Sequence, residues 1–168
     1  MRRYILLLIT FIVPLLGIGQ QVNQKMNDPK EGEILVGNCD RAGLEQGEFG
    51  IFFSAEYNAY KPDKKILSKL SSCLKPIEIR VILGTWCSDS REQVPRLFKI
   101  LDKAKFDNQK ITLVCVDSEK KAGSLDISSY DIKKVPTIIF SRDGKEVGRI
   151  IETPTKTLEK DMLTIVCE

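Results

Sequence analysis

The sequence has no histidine among its 168 residues. That absence removes Ser-His and Cys-His nucleophile pairs and every histidine-ligated metal site. It has no C-x-x-C pair either. Its five cysteines, Cys39, Cys73, Cys87, Cys115 and Cys167, are scattered at spacings that offer no zinc cluster. No metal and no cofactor is expected. Net charge is almost absent too: 26 Lys and Arg face 23 Asp and Glu. Arg2 and Arg3 fall in an N-terminal segment without acids, and leaving that segment aside gives 24 against 23, a net of +1. Such a balance provides no electrostatic footprint for nucleic acid or for an anionic membrane. What is present is an ordinary globular composition, 42% apolar and 29% charged, in a chain long enough for one domain with a real core.

The N-terminus opens with Met1-Arg2-Arg3, a short basic start. Residues 4–18 are almost wholly apolar, broken by Thr10, Pro14 and Gly17. Gly17-Ile18-Gly19 puts small residues where a signal peptidase reads, with cleavage expected before Gln20. The run is shorter than the roughly 20 residues of a spanning helix, so no membrane anchor is expected after cleavage. No cysteine follows the small residues, which argues against a lipoprotein anchor. The expectation is an exported protein, periplasmic or secreted, in a compartment where disulfides persist.

Along the rest of the chain, residues 20–33 are polar and read as a linker. In residues 34–60, Leu44, Phe52, Phe53, Tyr57 and Tyr60 recur at near-helical spacing and predict an amphipathic helix, although Gly47 and Gly50 weigh against it. Asp63, after Pro62, predicts the N-cap of a second helix over residues 63–74, with Ile66, Leu67 and Leu70 as its apolar stripe.

From Pro76 onward, strands and helices alternate. Ile77–Leu83 reads as a strand, residues 88–106 as a helix carrying Pro95, and residues 111–116 as a buried strand. Residues 124–132 predict a short helix. Residues 137–140 and 145–151 flank Asp143-Gly144, a hairpin signal. Thr153-Pro154 predicts the start of a last helix with Leu158, Met162, Leu163 and Val166 inside. The division expected is a signal peptide at 1–19, a linker and N-terminal helical extension at 20–75, and an α/β domain at 76–168. Its first half can form a right-handed βαβ unit.

The most distinctive stretch is Trp86-Cys87-Ser88-Asp89-Ser90, a tryptophan and cysteine between an apolar strand and a helix. Pro95 follows Cys87 by eight residues, and Val135-Pro136-Thr137 precedes a strand. These three motifs, in this order of elements, resemble the thioredoxin fold: a central mixed sheet flanked by helices. The resemblance covers residues 77–166. It implies that Cys87 is the attacking thiol, that Trp86 shields it, and that Val135, Pro136 and Thr137 form a cis-proline loop. Backbone beside that proline would pair with an extended substrate segment. Two departures stand out. Ser90 replaces the resolving cysteine, and Val81 stands where many thioredoxins carry a buried acid. Both argue against an efficient dithiol reductase. The Trp-Cys-x-Asp-Ser-Arg signature and the extra N-terminal segment resemble a secreted thioredoxin-like group.

At a helix N-terminus a thiolate is favoured by the free N–H groups and the helix dipole. Ser90, one turn on, could donate its hydroxyl to the sulfur. Asp89 opposes a second negative charge there, and Arg91 could neutralise it in part. The reaction implied is attack of the Cys87 thiolate on a substrate disulfide, giving a mixed disulfide that Ser90 cannot release. The leading reading is therefore exchange with protein thiols and disulfides through a single cysteine, of monothiol oxidoreductase or isomerase type. Two others stay open: a redox-inactive binding module that holds an extended peptide on the Pro136 face, and a thiol sensor.

Among the other cysteines, Cys115 between Val114 and Val116 reads as core, and Cys167 as exposed or frayed. Cys39 and Cys73 read as structural partners, with resolution of the Cys87 mixed disulfide by one of them as the alternative. Asp117 reads as a turn residue, Glu119-Lys120-Lys121 as a solvated loop, and Tyr130 as a packing residue. The sequence carries no sign of the oligomeric state.

Overall fold

The β-branched run over Ile77–Leu83 forms the strand on which the protein is built. A computed structural model describes residues 21–167; the secretory signal expected over 1–19 lies outside the described residues. In chain order the strands are β1 (Gln24–Asp28), β2 (Gly32–Cys39), β3 (Ile77–Leu83), β4 (Ile111–Cys115), β5 (Thr137–Arg142) and β6 (Lys145–Ile151). The helices are α1 (Arg41–Leu44), α2 (Gly47–Ala59), α3 (Lys64–Cys73), α4 (Ser88–Ala104) and α5 (Leu158–Cys167). The strands form one six-stranded sheet in the order β1-β2-β4-β3-β5-β6. Only β3 and β4 pair in parallel, through the β3-α4-β4 crossover; every other neighbour is antiparallel.

Alternation along β3 divides its side chains between two faces. Ile77, Ile79, Val81 and Leu83 enter the main core with Phe53 of α2, Leu70 of α3, Phe98 and Leu101 of α4, and Met162 of α5. Each fully buried side chain of this kind contributes about 1.5–3 kcal/mol. Ile82 faces the other way, into a smaller core with Val114, Val116, Ala122, Ile127 and Val135. Long chain between β4 and β5 roofs that face. The helix expected over residues 124–132 reduces there to a 3-10 turn, Ser128–Tyr130. Asp126 accepts from the Ser128 N–H, and Asp131 adopts φ +48, so local turns displace helix. Arg80 lays its guanidinium over the Tyr130 ring at 4.5 Å, which makes Tyr130 a packing residue. Asp117 accepts from the Glu119 and Lys121 N–H groups and so is a turn residue.

The N-terminal segment corrects the sequence reading most. Residues 20–33 are not a plain linker, because β1 and the start of β2 lie within them. Its polarity reflects an edge strand with little to bury. Asp28 accepts from the Lys30 N–H at the hairpin turn, and from both the N–H and hydroxyl of Ser118. Residues 34–60 are divided between β2 and two helices rather than forming one. Gly50, which counted against a helix, is required within α2: a Cβ there would meet the Glu45 carbonyl oxygen at 2.4 Å. Helix α3 follows expectation, with Asp63 accepting from the Lys65 and Ile66 N–H groups. Helix α4 continues through Pro95.

At the C-terminal end, α5 begins at Leu158 rather than after Thr153-Pro154. The Asp161 carboxylate accepts from the Thr155 and Lys156 N–H groups and holds the preceding residues in a turn. Glu159, buried at 4% exposure, accepts from the Tyr60 hydroxyl and the Asp63 N–H. Burial works to raise its carboxyl, but these hydrogen bonds outweigh it and hold the group below the usual range. Burial, followed by the same carboxylate, pushes the Tyr60 phenol up.

The cysteine pairing also differs from expectation. Cys73 bonds Cys167, with Cα atoms 5.3 Å apart across a sequence separation of 94. This disulfide staples α5 to α3. Cys39 instead lies buried beside Cys115 on the neighbouring strand. Sequence spacing does not report these distances.

Breaking the staple with Cys73→Ser is expected to lower unfolding free energy by about 2–4 kcal/mol. Denaturant titrations of wild type and variant in the same non-reducing buffer check this, as a lower transition midpoint in the variant. Glu159→Gln is expected to cost about 1–3 kcal/mol at neutral pH. A lowered carboxyl stabilises the fold above the ordinary glutamate range and loses that contribution as pH falls through its folded value. Stability measured from neutral to acidic pH should therefore fall less steeply in the variant.

Candidate active site

The end of β3, the start of α4 and the loop before β5 converge on Cys87. Gly84 through Cys87 form a turn in which the Cys87 N–H donates to the Gly84 carbonyl at 3.0 Å. Cys87 itself is the N-cap of α4, extended at φ −78 and ψ 128. Its carbonyl accepts the first helical hydrogen bond, from Arg91 at 3.0 Å. The half-buried thiol donates to the Val135 carbonyl at 3.2 Å.

Ser90 sits one turn into α4 and is fully buried. Its Oγ accepts from the Gly84 N–H at 3.2 Å, which locks the helix to the end of β3. The Ser90 oxygen thus braces the β3–α4 turn, while the hydrogen bond at the Cys87 sulfur runs to the Val135 carbonyl. Trp86 is half-buried, and its Nε1 donates to the Val116 carbonyl at 2.9 Å. The indole lies flush on Gly84, where a Cβ would come within 2.6 Å of Cε2. No other residue fits that close approach.

The Val135–Pro136 peptide is cis. Thr137 is buried and its hydroxyl donates to the Lys134 carbonyl at 2.7 Å, closing the loop around that peptide. The Pro136 carbonyl accepts from the Glu152 N–H at 2.7 Å. All six residues singled out from the sequence, Trp86, Cys87, Ser90, Val135, Pro136 and Thr137, therefore belong to one junction. Ser90 and Thr137 are buried within it as supports, and Cys87 and Trp86 are partly open. Val81 is fully buried in the main core.

Several neighbours were not legible in advance. Thr85 accepts from the Leu35 N–H of β2 through its Oγ1, across 50 residues of sequence. Arg91 donates to the Thr85 carbonyl, pairs with Glu48 at 3.0 Å and covers the Phe52 ring at 4.5 Å. It therefore faces α2 rather than neutralising Asp89. Lys134 pairs with Glu152, which raises its ammonium, and the Asp89 charge adds to that in smaller part. The hairpin and α2 wall a cavity of about 220 Å³ beside Trp86, lined also by Lys25, Glu33, Glu48 and Arg91. Arg91 directly follows Ser90 in sequence, but nothing local points to Leu35 or Glu48.

Two other cysteines are held away from this junction. Cys39 and Cys115 pack in the main core, whereas Cys87 packs against the smaller core on the opposite face. As a free thiol, Cys115 is pushed well up by burial and then by the adjacent Cys39, which disfavours its thiolate. Among the described residues no group of His, Cys, Asp and Glu is arranged to hold a metal ion. No helix of the described residues is long and apolar enough to cross a membrane.

A mixed sheet with helices, a Trp-Cys pair at a strand-to-helix junction and an X-Pro loop facing the thiol define a thioredoxin-like α/β protein. A family model described as thioredoxin matches residues 53–164, more than half of the chain. The chain belongs to the thioredoxin family, whose general chemistry is thiol–disulfide redox exchange. Thioredoxin H9 of Arabidopsis thaliana is 24% identical over 83 residues, 49% of this chain. The match spans only 55% of that relative's length. Among solved structures, thioredoxin from Fasciola hepatica aligns at 23% identity and a TM-score of 0.40, covering 59% of this chain and 90% of that one. Oxidised mitochondrial thioredoxin 3 of Saccharomyces cerevisiae aligns at 22% identity and a TM-score of 0.39, covering 58% and 89%.

Gly84→Ala is expected to push the indole off its seat. Trp86 is the single tryptophan, so its emission should shift to the red. The overpacking should cost about 1–3 kcal/mol in a denaturant titration of the same protein.

Proposed function

We propose that this protein is an exported thiol–disulfide exchange protein that works through Cys87 alone. The observation that carries this reading is the composition of the junction: one partly open cysteine at the N-terminus of α4, with a buried hydroxyl where a dithiol protein has its second sulfur. The Cys87 thiolate attacks a substrate disulfide. A bond forms between Cys87 and one substrate sulfur, and the other substrate sulfur leaves as a thiolate. Ser90 cannot displace the bound substrate, so release comes from a substrate thiol, which amounts to isomerisation, or from a small external thiol. Trp86 flanks the sulfur, and the loop of Val135, Pro136 and Thr137 receives an extended substrate segment. Protein thiols and disulfides are thus the partners. Export is supported by the basic-apolar-small pattern of residues 1–19 and by the Cys73–Cys167 disulfide, which suits an oxidising compartment. Membership of a redox family favours exchange over a purely binding role.

Substrate trapping tests the reading. Wild type, Cys87→Ser and Ser90→Cys would each be mixed with a disulfide-scrambled protein, acid-quenched, alkylated and separated without reductant. Wild type should give a reductant-sensitive adduct and Cys87→Ser none. Ser90→Cys should shorten the adduct's lifetime by roughly tenfold or more, because the new thiol attacks intramolecularly. Absence of an adduct in wild type, or an equal adduct in Cys87→Ser, would remove the mechanism. Undiminished non-covalent capture by Cys87→Ser, with no wild-type adduct, would point to a binding module instead.

A further inference from the structure

Cys39 and Cys115 form the most closely approached pair of unbonded sulfurs among the described residues. Their Sγ atoms lie 2.8 Å apart. Even carbon atoms pack only at roughly 3.5–4.0 Å, and the disulfide bond length is about 2.05 Å. The two residues are diagonal neighbours across β2 and β4: Cys39 stands opposite Leu113, and Gly37 stands opposite Cys115. Both side chains therefore enter the same face of the sheet. Diagonal pairs are normally about 7–8 Å apart at the backbone, beyond easy bridging. Gly37, directly opposite Cys115, adopts φ +75, a left-handed conformation within β2, and the two sulfurs meet here despite the diagonal spacing. Both sulfurs are shut away from solvent, Cys39 at 8% exposure and Cys115 at 0%.

We propose that Cys39 and Cys115 are joined by a second disulfide, which fastens the N-terminal hairpin to the centre of the sheet and leaves Cys87 as the chain's single free thiol. The consequence for mechanism rests on the Cys87 exchange reading; the bond itself does not. Balance is simple. Cys39 and Cys115 each give up a proton and together two electrons to a disulfide oxidant, of either low-molecular-weight or protein type. The Cys39–Cys115 bond forms, the oxidant's own S–S bond breaks, and two oxidant thiols leave with the protons. Burial sets the timing. An oxidant cannot reach these sulfurs once β2 has docked on β4, so the bond forms during folding. The pairing of β2 with β4 spans only Gly37, Asn38 and Cys39, so the covalent link would hold a short seam. It also removes both cysteines as internal resolvers of a Cys87 mixed disulfide, in agreement with their place on the opposite face of the sheet.

The test is a cysteine map of the full chain, refolded from the reduced state in a buffer of oxidised and reduced glutathione. The product is acid-quenched, alkylated in denaturant without reductant and digested with trypsin. Cys87 should then be the only labelled cysteine. The peptides over residues 31–41 and 111–120 should run as a linked pair that reduction separates. In Cys39→Ala the pair should vanish and Cys115 should become labelled. Full labelling of Cys39 and Cys115 in a sample whose Cys73 and Cys167 are linked would overturn the proposal, and so would recovery of either bonded to Cys87. If both are labelled while Cys87 still traps substrate, this inference fails and the exchange function stands.

Discussion

The burial of α4 against the sheet is the constraint on which the rest depends. Val94, Leu97, Phe98 and Leu101 press one side of this helix into the main core, so it cannot slide or rotate. Its first turn is then fixed relative to β3, and Ser90 closes that joint by accepting from the Gly84 N–H. Cys87 is delivered to the Val135 carbonyl as a result. The position that would hold a second sulfur in a dithiol protein is here used to brace the turn that presents the first one.

The N-terminal segment joins this arrangement rather than hanging from it. Hairpin β1-β2 extends the sheet beyond β4 and hydrogen-bonds to Thr85 beside Trp86. Helix α2 reaches the same place through Glu48 and Phe52 on Arg91. The family match begins within α2, at residue 53, so the hairpin and the α2 residues Gly47, Glu48 and Phe49 that help wall the cavity lie outside it. On the other side of the sheet, the region between β4 and β5 covers the smaller core with turns. This leaves the Val135–Pro136 loop as the element that faces the thiol.

Much of the core was legible because its elements follow local rules. Strand β3 announces itself through four alternating branched residues buried on one face, Ile77, Ile79, Val81 and Leu83. Asp63 marks the start of α3 by the side-chain hydrogen bonds it was expected to make. The elements that escaped are those whose signal is not local. Strand β1, Gln-Lys-Met-Asn-Asp, is an edge strand with little apolar surface, so its sequence cannot be told from a polar linker. Gly50 looked like a breaker because its purpose is an approach by the Glu45 carbonyl. Thr153-Pro154 carries a helix-start pattern, yet the Asp161 carboxylate captures the backbone after it in a turn.

By itself, the sequence determined the thioredoxin-like order of strands and helices, the candidate site at Trp86-Cys87 with Ser90 and Val135-Pro136, and the exclusion of histidine chemistry. Those properties reside in residue type and in spacings shorter than one element. Tertiary structure alone decided which cysteines meet, what the Ser90 hydroxyl holds, and that the N-terminal hairpin completes the sheet beside the thiol. Each of these depends on distances between segments far apart in the chain, such as the 94 residues separating Cys73 from Cys167. Only packing of the whole core sets such distances.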